Sequence, residues 1–178
     1  VLQTLEEKGL AENTIIVFSG DNGLAVGQHG LMGKQNLYEH SIQVPLIFKG
    51  PGIKKNKKSN NFAYLLDIYP TLCDIGGVSI PSTVEGKSLK PVLTGNIQQT
   101  RDVMFFAYKN FQRAVRKDRW KLIKYNVKNE VITQLFDLIE DPYEIKNLAK
   151  NPEYKSQLEE MNKLLIQQMI ENNDLADL

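Results

Sequence analysis

Two consecutive residues with oxygen-bearing side chains, Asp21 and Asn22, follow an apolar run at 14–18 that we predict to be a strand. In open α/β sheets, ligands bind in the crevice beyond the carboxyl ends of the strands. Carboxylate and amide oxygens suit hard cations such as Ca²⁺ or Mg²⁺, although two ligands are too few for either ion. Asp-Asn-Gly is also ordinary turn chemistry, so the tripeptide alone leaves a metal site and a plain turn both open.

A glycine-rich loop after the same predicted strand carries His29 and Lys34. A lysine point charge and a histidine that donates a hydrogen bond or acts as a general acid could together hold an anion. By spacing alone, a surface loop with two polar residues is the simpler interpretation. We assign the other histidine, His40, to structure or solvent, and we interpret Cys73, in an apolar helical run, as a small buried hydrophobe.

The secondary-structure elements that must position these residues are predicted to form an α/β fold. We predict strands and helices from the apolar patterns, with strands at 14–18 and 44–48 and helices at 1–8, 36–41 and 63–75. The run at 14–18 lacks alternation, which is typical of strands buried on both faces in parallel sheets. Pro70 lacks an N–H group, so we expect the third helix to kink or restart near Tyr69.

After Arg101 the pattern changes to short strand-like runs joined by brief polar turns, which is typical of an antiparallel meander. Asn151-Pro152-Glu153 then has the N-cap, the N1 proline and the acidic first turn of a helix start. Apolar side chains follow at helical spacing, namely Tyr154, Leu158, Met161 and Leu165. We therefore predict an α/β part at 1–98, followed at 99–178 by a small α+β subdomain with an antiparallel sheet and a long C-terminal helix.

Composition excludes several classes of protein. The 178 residues include 22 Lys+Arg and 21 Asp+Glu, a formal net charge of +1, which argues against nucleic acid as the main partner. One cysteine excludes a disulfide framework or a Cys-rich zinc site within the chain. No apolar run approaches the ~20 residues of a transmembrane helix. The basic run at 54–58 fits a solvated loop or, alternatively, a patch for an acidic polymer.

Several motifs, in order, resemble those of type I sulfatases, the formylglycine-dependent members of the alkaline-phosphatase-like superfamily. The metal-and-sulfate segment of that family is similar to residues 14–23, 27–30, 33–34, 44–47 and 50–52. Its later helix, loop, strands and C-terminal signature resemble residues 67–72 with Gly76, 85–89, 114–116 with 120–123, and 135–138 with 141–142, Glu144 and 147–149. The similarity spans nearly the whole chain. It implies that 1–98 is the C-terminal portion of an alkaline-phosphatase-like sheet with flanking helices.

The resemblance implies roles by position. Asp21 and Asn22 would be ligands of Ca²⁺, with Mg²⁺ as the alternative, in a site completed by acidic residues upstream. Lys34 would contact the sulfate and neutralise charge as the S–O bond breaks, and His29 would lie beside the sulfate or the leaving oxygen. The implied partner is a sulfated carbohydrate or another sulfate ester. The implied location is periplasmic or secreted, in a bacterium.

One motif of the family is missing from this sequence. The formylglycine nucleophile is made from Cys or Ser in a Cys/Ser-x-Pro-x-Arg motif, whereas Cys73 is followed by Asp74-Ile75. Ser79-Ile80-Pro81-Ser82-Thr83 has threonine where arginine is required. The sequence also begins without Met, inside a predicted helix. We expect a fragment of a sulfuric ester hydrolase that is inactive alone and self-associates through surfaces exposed by truncation.

Two alternatives stay open. Related members of the superfamily hydrolyse phosphodiesters or phosphonates, or transfer phosphoethanolamine, and the upstream nucleophile motif would distinguish them. The chain could also be a non-catalytic module that binds a sulfated polymer through the basic run at 54–58.

Overall fold

The computed structural model describes residues 1–97, 99–128 and 130–176, and the chain divides into two units. The first unit comprises Val1–Asp21 and Pro45–Asp102, and the second comprises Asn22–Val44 and Val103–Leu178. The division into domains at 1–98 and 99–178 stays a prediction. The two units share its break near residue 100, but they group residues 22–44 with the C-terminal part of the chain.

Within the described residues the elements follow one another in this order: α1 Leu2–Glu7, β1 Ile16–Ser19, β2 Ala25–Val26, β3 Met32–Gly33, α2 Glu39–Ile42, β4 Leu46–Lys49, α3 Ile68–Ile75, α4 Lys90–Thr94, β5 Val103–Tyr108, β6 Gln112–Lys117, β7 Trp120–Val127, β8 Glu130–Asp137 and α5 Lys155–Glu171. Short 3₁₀ turns lie at Ala11–Asn13, Gln28–Gly30, Leu65–Asp67 and Pro152–Tyr154. No helix of the described segments has the length and apolarity needed to cross a bilayer.

In the first unit, β1 pairs with β4 in an antiparallel two-stranded sheet. The prediction of a parallel strand buried on both faces was wrong. Phe18 and Ile47 lie opposite each other in this pair and are 60% and 56% exposed. A continuous apolar run indicates that both faces of a strand are apolar, but it contains no information on the direction of the neighbouring strand.

The helix predicted at 63–75 is shorter in the structure and begins at Ile68, after a separate 3₁₀ turn. Pro70 therefore lies in the first turn of α3, where its missing N–H group has no helical partner to lose. The expectation of a restart near Tyr69 is confirmed, and the proline causes no interior kink.

In the second unit, β5, β6, β7 and β8 form the predicted antiparallel meander in sequence order. One face of this sheet buries Val115, Leu122 and Leu135 against Met161 and Leu165 of α5. Tyr154 and Leu158 pack against the same cluster, so the predicted apolar stripe of the C-terminal helix is confirmed.

The opposite face of the meander carries the segment that contains most of the candidate site. Ala114, Ile123 and Phe136 form a second buried cluster with Leu37 and Tyr38. Successive residues of a strand point to opposite faces, which explains why adjacent residues such as Ala114 and Val115 belong to different clusters. Leu37 and Tyr38 thus attach the loop at 22–44 to this face of the sheet.

Candidate functional site

The hairpin of β2 and β3 brings Lys34 next to Asn22. Ala25 pairs with Gly33 and Val26 with Met32, so the chain reverses and returns to its own start. As a result, Lys34 Nζ donates a hydrogen bond of 2.9 Å to Asn22 Oδ1. The structure therefore joins one predicted metal ligand and one predicted sulfate ligand, which are twelve residues apart in sequence.

Asp21 and Asn22 lie just after β1, which ends at Ser19, as the sequence predicted, and Asp21 is exposed. Their carboxylate and amide oxygens fit a hard cation in kind. Two ligands are too few for such a cation. Nowhere in the described ranges do three or more His, Cys, Asp or Glu side chains gather as a metal site. Further ligands would have to come from outside this sequence.

The side chain of His29 is held in place by stacking of its ring. It lies in the 3₁₀ turn with a left-handed φ of 53°, and its ring stacks on that of Tyr38 at 3.9 Å and 4°. Its Nε2 lies 3.0 Å from the carbonyl oxygen of Tyr143. A carbonyl oxygen only accepts hydrogen bonds, so Nε2 carries the proton and donates. In a neutral ring, Nδ1 is then the basic nitrogen.

His40, which we assigned to structure or solvent, stacks in the same group of rings. Its ring centroid lies 5.6 Å from that of His29 and 5.7 Å from that of Tyr38. Burial lowers the pKa of His40 below its usual value, and the charges of His29 and Lys121 lower it further. His40 is therefore a neutral ring at pH 7, which agrees with a structural role.

A buried charged cluster lies in the same unit, and the sequence interpretation missed it. We call it the Lys121 cluster; its members are Lys121, Glu39, Glu144 and Arg116. Lys121 Nζ is fully buried and lies 2.9 Å from Glu39 Oε1 and 2.7 Å from Glu144 Oε1. Arg116 Nη1 donates to Glu39 Oε2 at 2.6 Å.

The Lys121 cluster also includes a hydrogen bond from a backbone amide. Glu144 Oε2 accepts a hydrogen bond of 2.6 Å from the amide of Glu39, the first residue of α2. Burial raises the pKa of Glu144, while the ammonium group of Lys121 opposes that change. One signal in the sequence could have revealed the cluster: Lys121 shares a strand face with Ile123, which points into the core.

The chain is similar in sequence to known sulfatases. Arylsulfatase K of Canis lupus familiaris is 33% identical over 179 residues, which cover 93% of this chain and 34% of that protein. A delta 4,5-hexuronate-2-O-sulfatase of Bacteroides thetaiotaomicron is 36% identical over 177 residues, covering 93% of this chain and 36% of the relative. The chain thus spans about a third of the length of these relatives.

Solved structures share the fold. A protein solved in complex with its substrate D-glucosamine-2-N,6-O-disulfate has a TM-score of 0.88 and 31% identity, over 98% of this chain and 37% of its own. The phosphonate monoester hydrolase of Agrobacterium radiobacter has a TM-score of 0.82 at 25% identity, over 95% and 37% of the two chains. The fold is that of the C-terminal part of sulfatases in the alkaline-phosphatase-like superfamily.

The family follows from a match over most of the sequence. Residues 27–172 match the family model described as N-sulphoglucosamine sulphohydrolase, C-terminal, and the chain belongs to this family. Sulfatases of this kind are metal-dependent enzymes, and the assignment of Asp21 and Asn22 as metal ligands stays a prediction.

Proposed function

We propose that this chain is the C-terminal part of a sulfatase that hydrolyses sulfate esters of a carbohydrate. The observation that carries the proposal is the contact of Lys34 Nζ with Asn22 Oδ1, because it places a positive charge beside an oxygen donor of the type that binds cations. The named sulfatases among the relatives, and the sulfated glucosamine bound to a structural neighbour, support the substrate class.

In the proposed enzyme, Asp21 and Asn22 provide two oxygen ligands for Ca²⁺, with Mg²⁺ as the alternative, and residues upstream of this sequence provide the others. The bound ion would supply electrostatic stabilisation of negative charge on the sulfate. The nucleophile, a formylglycine, would also lie upstream. The 178-residue chain alone is therefore expected to be inactive, and turnover of an aryl sulfate by this chain would contradict that expectation.

Lys34 has the role of binding the sulfate and stabilising the charge that develops as the S–O bond breaks. Its contact with Asn22 holds the flexible side chain at one edge of the loop, which reduces the entropy lost when the substrate binds. His29 has the role of exchanging a proton with the leaving oxygen. With Nε2 bound to the Tyr143 carbonyl, this exchange would use Nδ1.

The decisive experiment is the Lys34→Ala variant of the full-length enzyme. Removing a group that stabilises transition-state charge typically lowers kcat by about 10²- to 10³-fold. Lys57→Ala is the matched control, since Lys57 is an exposed lysine in the basic loop. Sulfate release from a sulfated glucosamine is the measurement. Equal rates for the two variants would contradict the role of Lys34.

The same assay tests the second function, hydrolysis of phosphonate or phosphate diesters, which the similarity to a phosphonate monoester hydrolase favours. A sulfatase is expected to prefer the sulfate ester of one aryl leaving group over its phosphonate ester. The opposite preference would support the second function.

Two further proposals concern the setting of the protein. We propose export to the periplasm or the medium, as the family resemblance implies, and fractionation of the source cells would test it. Exposed apolar side chains on β1 and β4 support self-association of the isolated chain, which size exclusion over a range of concentrations would test.

Salt-dependent retention on a heparin column, without sulfate ester turnover by the full-length protein, would instead favour a non-catalytic module that binds a sulfated polymer.

A further inference from the structure

The orientation of His29 depends on a backbone group. The Tyr143 carbonyl that accepts from Nε2 belongs to a turn in which the Glu144 amide donates to the carbonyl of Asp141 at 3.1 Å. The Tyr143 side chain cannot hold this turn in place, because it is 78% exposed. Another residue must fix the position of the carbonyl.

Within this turn Asp141 Oδ2 accepts a hydrogen bond of 2.7 Å from the Lys146 amide, and Glu144 is the residue whose side chain is buried. It is 2% exposed, and it adopts a left-handed φ of 57°, which a residue with a side chain rarely does. A backbone conformation of this kind persists when surrounding contacts hold it. Here the contacts are those of the carboxylate, which lies 2.7 Å from Lys121 Nζ and accepts from the Glu39 amide.

The charges of the Lys121 cluster balance only when Glu144 is included. Lys121 and Arg116 contribute two positive charges, and Glu39 and Glu144 contribute two negative charges. Charges removed from water need partners of opposite sign. The carboxylate of Glu144 is therefore held in place electrostatically, and the peptide that precedes it is held with it.

We propose that Glu144 is a positioning residue for His29. Its carboxylate, fixed by Lys121 and the Glu39 amide, sets the Tyr143 carbonyl against His29 Nε2 and thereby keeps Nδ1 as the nitrogen that exchanges a proton with the substrate. This inference rests on the proposed function, in which His29 acts on the leaving oxygen.

The first test is a double-mutant cycle in the full-length enzyme. Glu144→Gln preserves the shape of the side chain and removes its charge, and Glu140→Gln is the matched control, because Glu140 pairs only with the partly exposed Arg119 in the described structure. Glu144→Gln is expected to lower kcat about 10-fold with a smaller change in KM, since small displacements of a catalytic group are costly. Glu140→Gln should change kcat less than about twofold.

The cycle is completed with His29→Ala. In that background, Glu144→Gln should lower kcat by less than about twofold, because its effect passes through the missing imidazole. An equal loss in both backgrounds would overturn the proposal and show a general structural role.

The second test does not need activity. In enzyme labelled with ¹⁵N in the histidine rings, the native protein should show His29 with the proton on Nε2, and Glu144→Gln should show a mixture of tautomers. An unchanged tautomer in Glu144→Gln would overturn the proposal. If the enzyme hydrolyses no sulfate ester but the tautomer changes as expected, the proposed function fails and the positioning role of Glu144 stands.

Discussion

Two buried charged clusters, one in each unit, can be compared among the described residues, and they differ in the backbone groups that they hold. In the first unit, the fully buried carboxylate of Asp67 accepts from the amides of Tyr64 at 2.7 Å and Lys87 at 2.8 Å. Arg101 Nη2 donates to the same carboxylate at 2.9 Å. This group, the Asp67 cluster, ties three separate segments of the first unit together.

The Lys121 cluster of the second unit has a similar degree of burial and a different setting. Its backbone partner is the start of α2, and its Glu144 lies next to the carbonyl that binds His29. A buried ion pair is thus not in itself a sign of function. The neighbouring peptide groups decide whether a cluster supports the fold alone or also places a side chain of the candidate site.

Both units contain a glycine at a close approach of two backbone segments, and this pair makes the comparison testable. A Cβ atom on Gly86, next to Lys87, would lie 2.3 Å from the carbonyl oxygen of Leu66. A Cβ atom on Gly23, next to Asn22, would lie 2.0 Å from the carbonyl oxygen of His40. Both positions therefore require glycine because of a close approach of backbone.

The largest expected effect is that of Asp67→Ala. This change leaves a guanidinium group and two amides of the first unit without their acceptor, so it should cost about 3–5 kcal/mol of unfolding free energy. Urea denaturation of the full-length enzyme measures the loss. The kcat of the enzyme that remains folded should not change, and a specific fall in kcat would break the distinction between the clusters.

A loss of about 3 kcal/mol is expected for Lys121→Met, because it leaves the buried carboxylates of Glu39 and Glu144 without their shared cation. Unlike Asp67→Ala, this variant should also lower kcat per folded molecule, since the anchor of the Tyr143 carbonyl is weakened. Denaturation and kinetics on the same preparation measure both effects. A stable variant with native kcat would show that the cluster is dispensable.

The glycine pair should give effects of about 1–3 kcal/mol each, the usual range for forcing extra atoms into a packed site. Gly86→Ala is expected to lower the unfolding free energy alone. Gly23→Ala is expected to lower it and also to reduce kcat/KM, because it displaces the segment that carries Asn22. Equal specific activities for the two variants would remove the functional difference between the clusters.

The smallest effect concerns another ion pair of the second unit, Arg113 with Asp174, which lies outside the Lys121 cluster and provides a baseline for both clusters. Arg113 Nη2 donates to Asp174 Oδ1 at 2.8 Å, and the hydrogen bonds from Arg113 lower the pKa of Asp174. A carboxyl group with a lowered folded-state pKa adds stability above its unfolded pKa of about 3.9, and this stability is lost as the pH falls through the lower folded value.

Asp174→Asn should therefore be less stable than the native protein at pH 7, and the difference should shrink as the pH falls below about 4. Thermal unfolding across that range measures the difference, with kcat at pH 7 unchanged. A difference that grows in acid would show that the sign of the pKa change is wrong.

The sequence by itself determined the features that depend on short-range pattern. Short strand-like runs joined by polar turns predicted the meander of β5–β8, and helical spacing predicted the stripe of α5 that packs on it. The loop with Asn22, His29 and Lys34 was predicted from its residue types, and the contact between Lys34 and Asn22 agrees with their grouping. The roles of these residues remain predictions.

Only the tertiary structure decided the rest. The antiparallel pairing of β1 with β4 was not predictable, because an apolar run does not encode strand direction. The contacts Glu39–Lys121, Glu39–Glu144 and His29–Tyr143 join residues 82, 105 and 114 positions apart. No local pattern signals pairs this distant; they form because folding places the loop at 22–44 on one face of the meander, where buried charges must find partners of opposite sign.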